Sequence, residues 1–307
     1  MGGSINTAAS SQPTHVALVG TGTPVLHHEI VAIAQQVEAL LGIKAVYDQD
    51  TYCTLPPRQR ADILLKHISN PHCHILWSVR GGEGSADLIP FLEARAHQIL
   101  LQPKKIMIGF SDFTPLLVYF TQKMQWHCIH GIGALQAANK TVDQCSIEQT
   151  VQLLTQNSSD SALPLIPLNR CAKNHAKWWG SLVGGNLSLL AISNNEPWQL
   201  DFKNKIALIE EVNEPAYKVR RLLKHFARIG FFDGAKALIF AGFDFTKPQD
   251  HPNNAAESIW QALTEFAYDD PLPIFYCKDI GHGRVNHPIP FYKIATIHTK
   301  PRCRITF

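Results

Sequence analysis

Ser111 ends an apolar run in Ile106-Met107-Ile108-Gly109-Phe110-Ser111-Asp112-Phe113-Thr114, with Gly109 two residues before it and helix-compatible sequence after it. That layout suits a nucleophile elbow, a sharp strand-to-helix turn that projects a hydroxyl and leaves backbone N–H groups at the helix start to stabilise an anion. The G-x-S-x-G pattern is incomplete, because Phe113 stands where its last glycine would be; this disfavours the lipase and esterase branch. The other role open to Ser111 is to cap the helix that follows.

A serine nucleophile needs a base, and a tetrahedral intermediate needs hydrogen-bond donors. Arg80-Gly81-Gly82-Glu83-Gly84 directly follows the apolar run His74–Val79. Its glycines let the backbone approach a ligand and aim N–H groups at an oxyanion, or they make an ordinary strand-to-helix turn. His282 sits between Gly281 and Gly283, an unhindered setting for a proton shuttle, although 15 histidines leave room for structural ones. Glu210 closes the apolar run Lys205–Glu210, with Glu211 next to it. A carboxylate at the end of a buried strand needs a partner. A histidine, Arg220, Arg221 or a backbone amide could serve. His72-Cys73-His74 and His127-Cys128 combine metal-ligand types, but no H-E-x-x-H or comparable spacing supports a metal hydrolase, and no metal or other cofactor is expected.

These residues must be positioned by regular elements. From His15 to Phe110, short apolar runs (His15–Gly20, Lys44–Tyr47, His74–Val79, Lys105–Phe110) alternate with helical patterns. Such alternation predicts a parallel sheet wrapped by helices, with ligands at the carboxyl ends of its strands. Thr155–Pro167 is rich in Ser, Asn and Pro, as a linker would be. A strand-like Trp178–Val183, a Gly184-Gly185-Asn186 turn, further strand and helix patterns and a β-rich end follow. The chain therefore reads as α/β, in the order of a leader (1–14), an N-terminal parallel-sheet domain with the elbow (15–150), a linker (151–175) and a C-terminal mixed α/β domain (176–307).

Composition narrows the function classes. In 307 residues, 45% are hydrophobic and 17% charged, a globular balance with no apolar run near the ~20 residues of a spanning helix. A formal net charge of +3 without blocks of like charge argues against nucleic-acid or membrane partners. The seven cysteines are odd in number and never paired as C-x-x-C, so neither a disulfide framework nor a zinc ribbon is expected. Residues 1–14 lack a charged and apolar signal pattern, and Asn6 breaks the myristoylation pattern. A cytoplasmic protein is the expectation.

Taken together, Arg80–Gly84, Gly109–Thr114, Ile129–Gly131, Gly184–Leu187, Ile209–Tyr217 and Gly281–Gly283 resemble, in order, the motifs of the LD-carboxypeptidase family. That family comprises the muramoyltetrapeptide carboxypeptidases and, more distantly, the microcin C immunity peptidases. The resemblance implies a serine peptidase with Ser111 as nucleophile, His282 as base and Glu210 as acid, removing D-alanine from cytosolic murein tetrapeptide during peptidoglycan recycling. It also implies a homodimer. The N–H groups of Asp112 and Gly82 are the expected oxyanion donors. Arg80, or the amides after Gly185, at Asn186, could read the terminal carboxylate, with Gly81 and His130 lining the cleft. The alternatives are a peptidyl-nucleotide hydrolase of the immunity type and a two-domain protein that holds a peptide without cutting it. Departures from the family at Cys53–Leu64, at Glu83 and at Pro290-Phe291-Tyr292 are expected to reshape the cleft.

Overall fold

The computed structural model describes residues 14–156, 162–174, 177–246 and 251–307. The expected leader, apart from Thr14, and the centre of the Thr155–Pro167 stretch lie outside those residues. The strands are β1 (His15–Val19), β2 (Lys44–Tyr47), β3 (Cys73–Ser78), β4 (Ile106–Gly109), β5 (His127–His130), β6 (Ala162–Pro164), β7 (Ile166–Pro167), β8 (Lys177–Asn186), β9 (Ile206–Val212), β10 (Ala237–Asp244), β11 (Ile274–Tyr276), β12 (Ile289–Pro290), β13 (Ile294–His298) and β14 (Arg304–Thr306).

Two mixed sheets organise the chain. The first has the order β12-β5-β4-β3-β1-β2, parallel throughout except for β12 at its edge. Both faces of its central strands are covered by helices, which is why β1, β3 and β4 read as unbroken apolar runs instead of alternating ones. The second has the order β6-β14-β13-β8-β9-β10-β11-β7. Strands β8 to β11 are parallel, whereas β13 and β14 are antiparallel. In β13, Ala295 and Ile297 face the core while Ile294, Thr296 and His298 alternate outward.

The two sheets are not separate in their packing. One continuous apolar cluster takes in Leu76, Met107 and Phe113 from the first sheet's side and Leu182, Ile209 and Phe240 from the second. Strand β12, from the distal part of the chain, crosses over to pair Ile289 with His130 and Pro290 with Ile129. The antiparallel edge of the first sheet is therefore supplied by a segment more than a hundred residues away, which a reading of local alternation could not anticipate.

Two further differences from expectation concern the region after Asn139. The 151–175 stretch is structured where described: a helix runs over Gln144–Gln156, and β6 and β7 close opposite edges of the second sheet. Gly184-Gly185-Asn186 is not a turn but the end of the ten-residue β8. Glycine is required there because β8 presses closely on its neighbours. A Cβ at Gly184 would fall 1.7 Å from the Leu208 carbonyl oxygen, and one at Gly185 would fall 2.5 Å from Thr114 Oγ1.

Candidate active site

Ser111 lies between the carboxyl end of β4 and the helix Thr114–Gln122, on a single turn of tighter helix. Its φ is +58°, a left-handed conformation that a serine adopts only where the surrounding structure enforces it. Gly109 makes the turn possible, since a Cβ there would meet the Phe113 ring at 2.5 Å. The elbow expected from sequence is thus formed, with Phe113 occupying the space that a larger residue at 109 would need.

The glycine-rich loop after β3 folds over this turn. A Cβ placed on Gly81 would lie 3.0 Å from both Cβ and Oγ of Ser111 and 3.7 Å from the Asp112 amide nitrogen. The loop is tied down from three sides. The Ser85 amide donates to Asp112 Oδ2 at 3.1 Å, and the Ser85 hydroxyl donates to the Asp112 carbonyl. Thr23 N–H donates to the Gly81 carbonyl at 3.3 Å. Arg60 donates to the Thr21 carbonyl at 2.7 Å and to the Gly84 carbonyl at 3.3 Å. Burial lifts the Asp112 carboxyl to about 6, against the lowering effect of the Ser85 amide and the Arg60 charge. Arg60 and the Asp112 side chain were not legible as parts of the site. Their roles depend on contacts across the first sheet and not on any local motif.

Glu210 and Glu211 are adjacent on β9 and so point to opposite faces. Glu210, fully buried, accepts a hydrogen bond at 2.7 Å from the Nδ1–H of His282. Glu211 accepts from Asn186 Nδ2 at 2.8 Å, from Ser188 N and Oγ at 2.9 and 2.6 Å, and from the Val212 amide. One glutamate therefore meets the histidine, and the other cross-links β8 to β9. Burial by itself would raise the Glu210 carboxyl, but His282 and His130 outweigh it and hold the group at about 2. For His282, burial favours the neutral ring. The Glu210 charge and hydrogen bond, with a contribution from Asp244, overcome it and raise the pKa.

His282 is carried on a loop pinned by Gly281 N–H donating to Asn286 Oδ1 at 3.0 Å and Gly242 N–H donating to the Ile280 carbonyl at 2.7 Å. Gly281 has φ +125°. The histidine ring lies 4.7 Å from the ring of Phe110, the residue before Ser111. This contact brings the base beside the elbow. His282 Nε2 is buried and has no hydrogen-bond partner, so Ser111 and His282 are adjacent through Phe110 without being directly bonded. Asp244, at the end of β10 beside Gly283, is a second carboxylate near the histidine. A carboxylate closing a buried run, the signal that picks out Glu210, could have picked it out too.

The remaining expected residues are distributed differently. Arg80 is exposed. Gly185 and Asn186 serve internal packing: Asn186 N–H donates to Thr114 Oγ1 at 3.1 Å, and its side chain caps the helix Leu187–Ala191. His130 is fully buried, at 0% exposure, so it offers no open face to a ligand. Phe291, within one of the departures from the family pattern, is also buried, its amide donating to the Cys128 carbonyl at 2.9 Å. Residues Cys53–Leu55, in another departure, line a cavity of about 340 Å³ together with Thr23, Arg60 and Glu83. Among the described residues no group of three or more His, Cys, Asp or Glu side chains could hold a metal, and His72, Cys73 and His74 do not assemble. Among the same residues no helix is long and apolar enough to cross a membrane.

Comparison with known proteins matches both halves to one family. Residues 16–131 match the LD-carboxypeptidase N-terminal domain and residues 179–297 the LD-carboxypeptidase C-terminal domain. A Rickettsia prowazekii relative is 31% identical over 217 residues, 70% of this chain and 65% of its own length; the chain thus matches just under two thirds of that relative. The murein tetrapeptide carboxypeptidase of Pseudomonas aeruginosa is 26% identical, covering 78% of this chain and 77% of that protein. Among solved structures, a muramoyltetrapeptide carboxypeptidase from Oxalobacter formigenes superposes with a TM-score of 0.76 at 19% identity, covering 95% and 97% of the two chains. An MccF-like protein from Streptococcus pneumoniae, in complex with AMP, gives 0.80 at 17% identity, covering 96% and 99%.

Proposed function

Because the chain belongs to the LD-carboxypeptidase family, we propose that it is a serine carboxypeptidase that removes D-alanine from murein tetrapeptide during peptidoglycan recycling in the cytoplasm. The observation that carries this reading is the 2.7 Å His282–Glu210 hydrogen bond set beside a serine held at φ +58° on an elbow. Glu210 fixes the tautomer of His282, leaving Nε2 free to accept a proton, and stabilises the imidazolium that forms. Ser111 Oγ attacks the carbonyl carbon preceding the terminal D-alanine as its proton passes to His282 Nε2. The C–N bond then breaks, the same proton goes to the leaving amine, and a water activated by His282 hydrolyses the acyl-serine. The oxyanion of each tetrahedral intermediate is held by the N–H groups of Asp112 and Gly82, the loop and turn that Gly81 keeps in close contact. The Ser111–His282 hydrogen bond is not formed in this structure, and catalytic hydrogen bonds commonly tighten when substrate arrives.

Incubation of the full chain with a murein tetrapeptide ending in D-alanine tests this. The wild-type protein releases D-alanine and Ser111→Ala releases none. A parallel assay with a peptidyl-nucleotide addresses the competing substrate, since the microcin C7 self-immunity protein of Escherichia coli is also similar, 24% identical over 269 residues. Folded wild-type protein that leaves the tetrapeptide intact overturns the substrate assignment, and release by Ser111→Ala overturns the serine mechanism.

A further inference from the structure

His130 has a position that the proposed reaction does not yet use. It closes β5, with its Cα opposite Gly109 of β4 on one side and Ile289 of β12 on the other. Its ring is fully buried, packed near Phe110 at 6.1 Å and Phe291 at 6.2 Å between centroids. Neither ring nitrogen has a hydrogen-bond partner. Burying a polar group without one is costly, so an imidazole at such a place calls for a partner.

The candidate partner is on the other sheet. His130 Nε2 lies 3.9 Å from Glu210 Oε1, the carboxylate oxygen that His282 does not use, and that oxygen is itself buried and unpartnered. Two orphaned, complementary groups face each other slightly beyond hydrogen-bond range. Among the described residues no Lys or Arg bridges Glu210; His282 and His130 are the side chains within ion-pair distance of it, and the Glu211 and Asp244 carboxylates also act on it. Glu211 is occupied by Asn186 and Ser188, and it and Asp244 both add negative charge near His282.

We propose that His130 is a positioning residue of the site, its Nε2–H closing on Glu210 Oε1 so that the carboxylate is clamped between two imidazoles, one at the end of β5 and one on the loop between β11 and β12. The inference rests on the triad reading above but not on the identity of the substrate. Two consequences follow. The clamp links the half that carries Ser111 to the half that carries the base, since β5 is hydrogen-bonded to β4 immediately before the elbow. It also takes up part of the Glu210 charge, which keeps that carboxylate from pulling His282 still further toward the imidazolium. Without the donor, His282 holds its proton to higher pH, and the acid side of the activity profile moves up.

The test compares wild type, His130→Leu and His130→Gln. Glutamine can present an N–H near the place of Nε2, and leucine cannot. Ser111 is titrated with a fluorophosphonate as a function of pH, a readout that needs no peptide substrate, and folding is checked by thermal unfolding. The account predicts labelling slowed on the order of 10-fold in His130→Leu, far less than the roughly 10⁴-fold typical when the acid behind a catalytic histidine is disabled. The acid limb should shift to higher pH in His130→Leu, and both effects should be largely restored in His130→Gln. Equal slowing in both variants with an unmoved acid limb assigns His130 to packing and overturns the proposal, as does unchanged labelling in His130→Leu. If His130→Leu does not fold, the wild type decides by NMR: a slowly exchanging His130 Nε2–H proton that disappears in Glu210→Gln supports the clamp, and its absence overturns it. A folded wild type that takes no label on Ser111 removes the triad reading and this inference together.

Discussion

Glu210 and His282 meet at 2.7 Å within the C-terminal half, while Ser111, in the N-terminal half, is held by its backbone at φ +58° and by the Gly81 loop packed over it. The acid and base are joined by a side-chain hydrogen bond. The nucleophile is instead aimed by strain, with the loop packed against it and no direct bond to the base. The difference shows how each half is ordered: electrostatics on one side, a constrained backbone torsion and close packing on the other. The remaining bond, from Ser111 to His282, is the step that joins them.

The predictions probe that contrast from both sides. The largest effect belongs to Ser111→Ala, expected to lower kcat by roughly 10⁶-fold in a D-alanine release assay while leaving thermal unfolding unchanged. Glu210→Gln should cost on the order of 10⁴-fold, because the amide can hold the ring in the wrong tautomer and cannot stabilise the imidazolium. Gly81→Ala needs no unusual backbone angle, but its methyl group would press on Ser111 Oγ at 3.0 Å. A loss of about 10²-fold in kcat, with normal stability, would show that the loop packing aims the nucleophile. Gly185→Ala is its counterpart: at φ +141° and 2.5 Å from Thr114 Oγ1, it should lower stability by about 1–3 kcal/mol in denaturant unfolding.

Acid–base behaviour gives the most graded test. Burial lifts Asp50 to about 6 from an ordinary 3.8, despite a hydrogen bond from the Gly20 amide. The folded protein therefore binds this proton more tightly than the unfolded chain, and the resulting stability is full below the ordinary value and lost as pH rises toward 6. Asp50→Asn should remove that slope, with a difference from wild type reaching at most about 3 kcal/mol near neutral pH, measured by thermal unfolding at several pH values. For activity, the raised pKa of His282 places the acid limb of kcat/KM above the ordinary histidine value of 6.5.

How much of this could be read from sequence divides along the same line. Ser111, Glu210 and His282 stand out because each is a reactive type at the end of an apolar run or between glycines, and the structure places His282 against Glu210 and, through Phe110, beside Ser111. The alternating runs before Phe110 likewise gave strands close to those observed. Gly184-Gly185 reads as a turn in sequence because paired glycines usually mark one. Here they answer to Leu208 and Thr114 approaching from elsewhere in the chain. Strand β12 is two residues long and contains a proline, so nothing local announces it. The burial of His130 and the anchoring of the Gly81 loop by Asp112 and Arg60 are tertiary outcomes in which the partner, not the motif, determines the role.

The most direct measurement is a crystal structure of the wild-type chain after reaction with a peptidyl boronic acid that mimics the tetrahedral intermediate. The account predicts a bond from boron to Ser111 Oγ, His282 Nε2 drawn to about 3 Å from that oxygen with its Glu210 contact intact, and a boronate oxygen facing the N–H groups of Asp112 and Gly82. Boron bound at another residue, or His282 still apart from a modified Ser111, would contradict it.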